Sequence, residues 1–142
     1  MRRLVLPILF LAAALAPALG ALAQENEVAG SWIAVKAERE GMLAEDLVGH
    51  ELIFEGNRFA IVSRGAVVYA GTYALDPVAE PPAIDFQHEA GRLVGTSWEG
   101  IYELNADRLV ICDDAADPNN GRPGDFTTSP GSGRVMITFT RR

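Results

Sequence analysis

The chain carries one cysteine, one lysine and two histidines, and each scarcity removes a class of explanation. A single thiol, Cys112, cannot close an intrachain disulfide, so the fold has to be held by its core. Cys112 ends the apolar run Leu109-Val110-Ile111 and reads as a small buried hydrophobe rather than a reactive group. His50 and His88 have neither H-x-x-x-H spacing nor a cysteine partner, which leaves no tetrahedral metal site and makes both read as surface histidines. Lys36 is the sole lysine and the arginines are scattered, so no basic stripe exists to follow a phosphate backbone or an anionic bilayer. Nucleic acid and membrane surfaces are therefore not expected partners. Ser129, Thr127 and Thr128 lack a G-x-S-x-G elbow, and the carboxylates are too dispersed to single out a catalytic pair. The expectation is a protein that is not an enzyme and needs no cofactor.

Long apolar runs are missing too, except at the start. Met1-Arg2-Arg3 gives a basic head, Leu4 to Ala16 an apolar stretch and Ala21-Leu22-Ala23 a small-x-small cleavage site, the order of an export signal. Pro7 and Pro17 interrupt that stretch, which falls short of the roughly 20 residues of a spanning helix. No cysteine follows it to accept a lipid. Residues 1–23 are read as a signal peptide and 24–142 as one domain, periplasmic or secreted, monomeric and without a stable membrane anchor. Cleavage would remove two arginines and no acid, leaving 10 basic residues against 19 acidic ones. The charge suits solubility.

What the sequence does have is alternation. Period-two apolar runs cover Ser31 to Arg39, Glu51 to Glu55, Arg58 to Ser63, Ala66 to Leu75, Ala83 to Gln87, Trp98 to Leu104, Arg108 to Cys112 and Arg134 to Thr140. Gly56-Asn57, Arg64-Gly65, Asp76-Pro77 and Asn105-Ala106-Asp107 cut them with turn chemistry. A short helical hint lies between Met42 and Gly49. Hairpins without alternating helices imply an all-β antiparallel sheet, and closure into an eight-stranded up-and-down barrel removes the edges that invite aggregation. Alternation assigns Leu52, Phe54, Phe59, Ile61, Ile84, Phe86, Leu109, Ile111, Val135, Ile137 and Phe139 to the core. The run from Ala66 to Leu75 is apolar on both faces and does not declare which one points in.

Gly30-Ser31-Trp32 at the first strand resembles the G-x-W signature of lipocalins and fatty-acid-binding proteins. That resemblance implies a tryptophan plugging the closed end of a barrel, with an arginine from the last strand lying across it. Arg141 shares the parity of Ile137 and Phe139, so Trp32 and Arg141 are the expected structural pair. An ordered set of segments is more specific. Ala37-Glu38-Arg39-Glu40-Gly41, Leu52-Ile53-Phe54-Glu55-Gly56-Asn57-Arg58-Phe59, Gly71-Thr72-Tyr73-Ala74-Leu75-Asp76, Ile101-Tyr102-Glu103-Leu104, Arg122-Pro123 and Pro130-Gly131-Ser132-Gly133 follow one another as in the uncharacterised bacterial TIGR03067 family, abundant in planctomycetes. The resemblance implies a lipocalin-like domain of unknown function and transfers no catalytic residue. The acidic run Asp113-Asp114-Ala115-Ala116-Asp117 departs from the pattern.

An eight-stranded barrel has room for side chains or for one small ligand. Many inward rings (Trp32, Phe54, Phe59, Tyr73, Phe86, Tyr102, Phe139) imply a small cavity near the open end rather than a fatty-acid tunnel. Arg122, Tyr73 and Tyr102 are the expected ligand-binding residues, Arg122 as a bidentate clamp for a carboxylate at the barrel mouth or as a pin on Asp113 or Asp114. The oxygen-rich segment from Asp113 to Asp125 misses EF-hand spacing. The expected function is non-catalytic binding of a small apolar or carboxylate-bearing molecule; the alternative is a protein-interaction or inhibitor module acting through the loop 113–133.

Overall fold

The computed structural model describes residues 20, 22–25 and 27–142. Most of the expected signal peptide therefore lies outside the described residues. Nine strands follow in chain order: β1 (Gly30–Arg39), β2 (Met42–Leu43), β3 (Glu51–Glu55), β4 (Arg58–Ser63), β5 (Ala66–Asp76), β6 (Ala83–Gly91), β7 (Ser97–Asn105), β8 (Arg108–Asp113) and β9 (Val135–Arg141). From β3 onward each strand pairs antiparallel with the next, and β9 returns to β1 from Trp32↔Arg141 to Arg39↔Val135. Eight strands thus close a barrel, and the two-residue β2 is an extra strand beside the end of β1. The helical hint after the first strand is one short 3-10 turn, Glu45–Leu47.

Turn chemistry explains the hairpins. Arg64 and Gly65 both take positive φ, 53° and 79°, the pair of conformations whose twist matches two antiparallel strands. Glycine serves there without the steric cost a side chain meets. Asp76 to Pro82 links β5 to β6, where proline's missing N–H does no harm outside the ladder.

The expected core residues all point inward, with Ile61 and Ile137 half-buried at its margin and the others buried. On β5 the inward face is Tyr69, Gly71, Tyr73 and Leu75, leaving Val67 exposed. β6 runs on past Gln87 to Gly91, so the parity of Ile84 and Phe86 carries His88 inside, where it is 1% exposed. His88 is therefore not the surface residue that its sequence neighbourhood suggests; His50 is half-buried at the rim.

One end of the barrel is closed around Trp32. Residues 22–25 and 27–28 are helical and lead into β1, burying Val28 against the ring. Trp32 Nε1 donates to Val28 O at 2.8 Å. The Arg141 guanidinium lies 4.2 Å from the Trp32 ring centre, and donates to Ala29 O at 2.9 Å and to Glu27 O at 2.7 Å. A cation is thus set where the last carbonyls of the helical turn lack partners. Arg141 also reaches Asp107 in the β7–β8 turn at 3.3 Å.

The segment between β8 and β9 is a strap. Asn120 Nδ2 donates to Ser132 O, Thr128 Oγ1 to Glu38, Gly133 N to Glu40, and Arg134 pairs with Asp125. Ile101, Val110 and Cys112 have outward parity yet are buried, because the strap passes outside them; Cys112 Sγ sits 3.8 Å from Thr127 O. Burial pushes the Cys112 thiol up to about 11, with Asp113 adding to the effect. Such a thiol is a poor nucleophile.

Candidate binding cavity at the open end

A cavity of about 430 Å³ opens at the end of the barrel away from Trp32. Its walls are Leu52, Ile61, Tyr69, Trp98, Val135, Ile137 and Phe139, with Leu93 of the β6–β7 loop leaning over it. This volume falls in the range of small-molecule pockets, roughly 300–1,000 Å³, at its lower end. Five charged groups and one histidine stand at or below the rim: Arg39, Asp46, Glu51, Arg92, Asp113 and His50, with Glu51 held by Arg142 at 3.1 Å.

These charges are unequally provided for. Arg39 and Asp46 form a fork, Nη2 to Oδ2 at 2.8 Å and Nη1 to Oδ1 at 3.3 Å. The hydrogen bond to Arg39 holds the Asp46 carboxyl below the usual range, and the same bond raises Arg39. Arg92 is exposed and makes no ion pair among the described residues. Asp113 continues the inward parity of Leu109 and Ile111 on β8 and is only 7% exposed. Its Oδ1 accepts the Ala115 N–H at 3.1 Å, and no described residue donates to Oδ2. Burial pushes this carboxyl up to about 7, opposed by the Ala115 hydrogen bond and reinforced by the charge of Asp114. Gly100 faces Asp113 across the β7–β8 ladder, and a Cβ there would stand 2.9 Å from the Asp113 Cβ. Glycine at 100 is what admits the carboxylate to the barrel wall.

Deeper on the same side, His88 lies in an aromatic box. Ring centres are 4.1 Å away for Trp98, 5.4 Å for Phe59 and 5.5 Å for Tyr69. Both imidazole nitrogens and Trp98 Nε1 are buried without a hydrogen-bond partner among the described residues. Burial pushes the His88 pKa down, so the ring stays neutral.

The expected ligand-binding residues lie elsewhere. Tyr73 packs against Phe54 with ring centres 4.5 Å apart and donates its hydroxyl to Gly56 O. Tyr102 donates to Gln24 Oε1. Both are at the closed end, where burial pushes each phenol up to about 12 and keeps it a donor. Arg122 is neither at the mouth nor bound to Asp113 or Asp114. It lies on the outer face of β6 and β7, 2.8 Å from Asp85, 3.5 Å from Glu99 and 2.8 Å from Gly100 O. The acidic pair Asp85 and Glu99 directly opposite one another in the ladder provides its seat, and pinning the strap is its structural work.

Sequence reasoning missed His88, Trp98 and Asp113 as interior polar groups. The signal was parity: His88 and Asp113 lie two residues beyond the core positions Phe86 and Ile111, and Trp98 lies four before the inward Tyr102. Comparison with family models, with curated proteins and with solved structures finds no match to this chain.

Proposed function

We propose that this protein is an exported, non-catalytic binding barrel of lipocalin-like kind that holds one compact, mainly apolar molecule in the open end. The observation that supports it is the 430 Å³ cavity with aliphatic and aromatic walls. Phe54, Phe59, Phe86 and Tyr73 fill the barrel below it, which argues for a monocyclic or branched body and against an extended acyl chain. Periplasmic or secreted location after cleavage near Ala23, monomeric state and kinship with the TIGR03067 family belong to the same reading. The strap from Asp114 to Arg134 is bonded along its length to the barrel, so binding is assigned to the cavity rather than to insertion of this loop into a protein partner.

Titration of residues 24–142 with ethylbenzene, followed by amide and methyl NMR, is expected to shift Ile61, Leu93, Trp98 and Ile137 saturably and to leave Trp32 unmoved. Absence of saturable shifts in the cavity at millimolar ethylbenzene would overturn the proposal. A fluorescent long-chain fatty acid is expected to show no saturable binding; submicromolar one-to-one binding would replace the compact ligand with an acyl chain.

A further inference from the structure

We propose that the molecule held in this cavity is an organic monocation, its ammonium group seated on Asp113 and its apolar body against Trp98 and the aliphatic wall. This rests on the reading of the cavity as a binding site and names the chemistry of its occupant. Four observations converge. Asp113 is 93% buried yet lines the cavity, and its Oδ2 has no donor among the described residues. Among the other charges at the mouth, Arg39 is already engaged by Asp46 and Glu51 by Arg142, and Arg92 is exposed to water that screens it. Trp98 stands on the same face of β7 two residues from Gly100, the residue opposite Asp113, which makes ring and carboxylate diagonal neighbours. An aromatic face beside a carboxylate is the environment an ammonium group prefers, since both attract it and neither supplies a competing cation.

The cost of the arrangement supports the assignment. A buried acid with no counter-ion is neutralised or paired, and here the charge close enough to act on it is Asp114, of the same sign. A cation entering the cavity supplies the missing partner. Near pH 7 the empty site holds a carboxyl poised between its two forms, and binding of a cation releases the proton.

The probes are 2-phenylethylamine, propylbenzene and 3-phenylpropionate, which share a body and differ in the charge of the head. Calorimetric titration at pH 8 is expected to give at least about tenfold tighter binding for the amine than for propylbenzene, in keeping with a charge-assisted hydrogen bond. Asp113→Asn should abolish that advantage, so that amine and propylbenzene bind alike. Wild-type affinity for the amine should rise about tenfold from pH 6 to pH 8 as Asp113 ionises. Facing Asp113 are Asp114 beside it, Arg39 with Asp46 two strands away in the same row, and His50, Glu51 and Arg92 across the mouth; buried His88 stays neutral. If the pH profile persists in Asp113→Asn, the proton belongs to another group and the proposal fails. Equal affinity for amine and propylbenzene, or tighter binding of 3-phenylpropionate, overturns the monocation and leaves the compact ligand standing. Saturable binding of none of the three removes both.

Discussion

At the closed end of the barrel each large buried side chain with a polar atom has a partner, Trp32 on Val28 O, Tyr73 on Gly56 O and Tyr102 on Gln24, and half-buried Arg141 lies across the Trp32 ring onto Glu27 O and Ala29 O. At the open end the buried polar atoms of His88 and Trp98 have none among the described residues, and Asp113 carries its burial against only one N–H there. The same strands supply both ends, so the difference is not one of fold. It separates the part of the molecule that holds the barrel shut from the part that keeps unmet hydrogen-bonding and charge capacity in and beneath a cavity. Unmet capacity of this kind costs stability and is retained where something else meets it.

The largest effect is expected at the settled end. Trp32→Ala removes a fully buried ring and a donor, and should cost about 3–5 kcal/mol in denaturant unfolding. A loss below about 1 kcal/mol would mean that the closed end does not carry the stability assigned to it.

The open end should behave in the opposite sense. The folded Asp113 carboxyl is raised to about 7 from an ordinary 3.8, so the folded state holds a proton that the unfolded state gives up. Its contribution to stability is full below about pH 4 and is lost as pH climbs through 7. Asp113→Asn should therefore be more stable than wild type at pH 8, on the order of 2–4 kcal/mol, with the gain shrinking towards pH 4. Destabilisation at pH 8 would show that the carboxylate is a structural partner.

How far the sequence anticipated these two ends follows from the residues that build them. The closed end was legible: Gly30-Ser31-Trp32 and the parity of Arg141 point to the contact, and Gly56-Asn57, Asp76-Pro77 and Asn105-Ala106-Asp107 are the turns that seal it. The core rows Leu52/Phe54, Phe59/Ile61 and Ile84/Phe86 were equally plain, because each sets large apolar residues two apart in a short run bounded by polar and turn residues. The open end was obscured because its residues break that signal. His88-Glu89-Ala90-Gly91 reads as loop, yet ladder pairing to β5 extends β6 through it, and Asp113 looks like the start of an acidic loop although it completes β8. Arg122 misled for another reason. Its partners Asp85 and Glu99 are distant in sequence, and only the pairing of β6 with β7 places them together.

Smaller changes sharpen the contrast. Arg141→Ala should cost about 1–3 kcal/mol through lost carbonyl bonds and ring contact, and a double-mutant cycle with Trp32→Ala should show coupling; strict additivity would separate the two residues energetically. Arg122→Ala acts on the outer face through a partly exposed side chain, and should cost about 1 kcal/mol or less with no change in ethylbenzene affinity. A loss of cavity binding in that variant would tie the strap to the site after all.

The direct measurement is the titration of the Asp113 side-chain carboxyl by carbon-13 NMR, in the free protein and with saturating 2-phenylethylamine. The free protein should show a midpoint near 7, and the amine should move it down by at least a full pH unit, because a cation favours the ionised form. A free-protein midpoint in the ordinary aspartate range, unaffected by the amine, would contradict an uncompensated acid in the open end and with it the division between the two ends of the barrel.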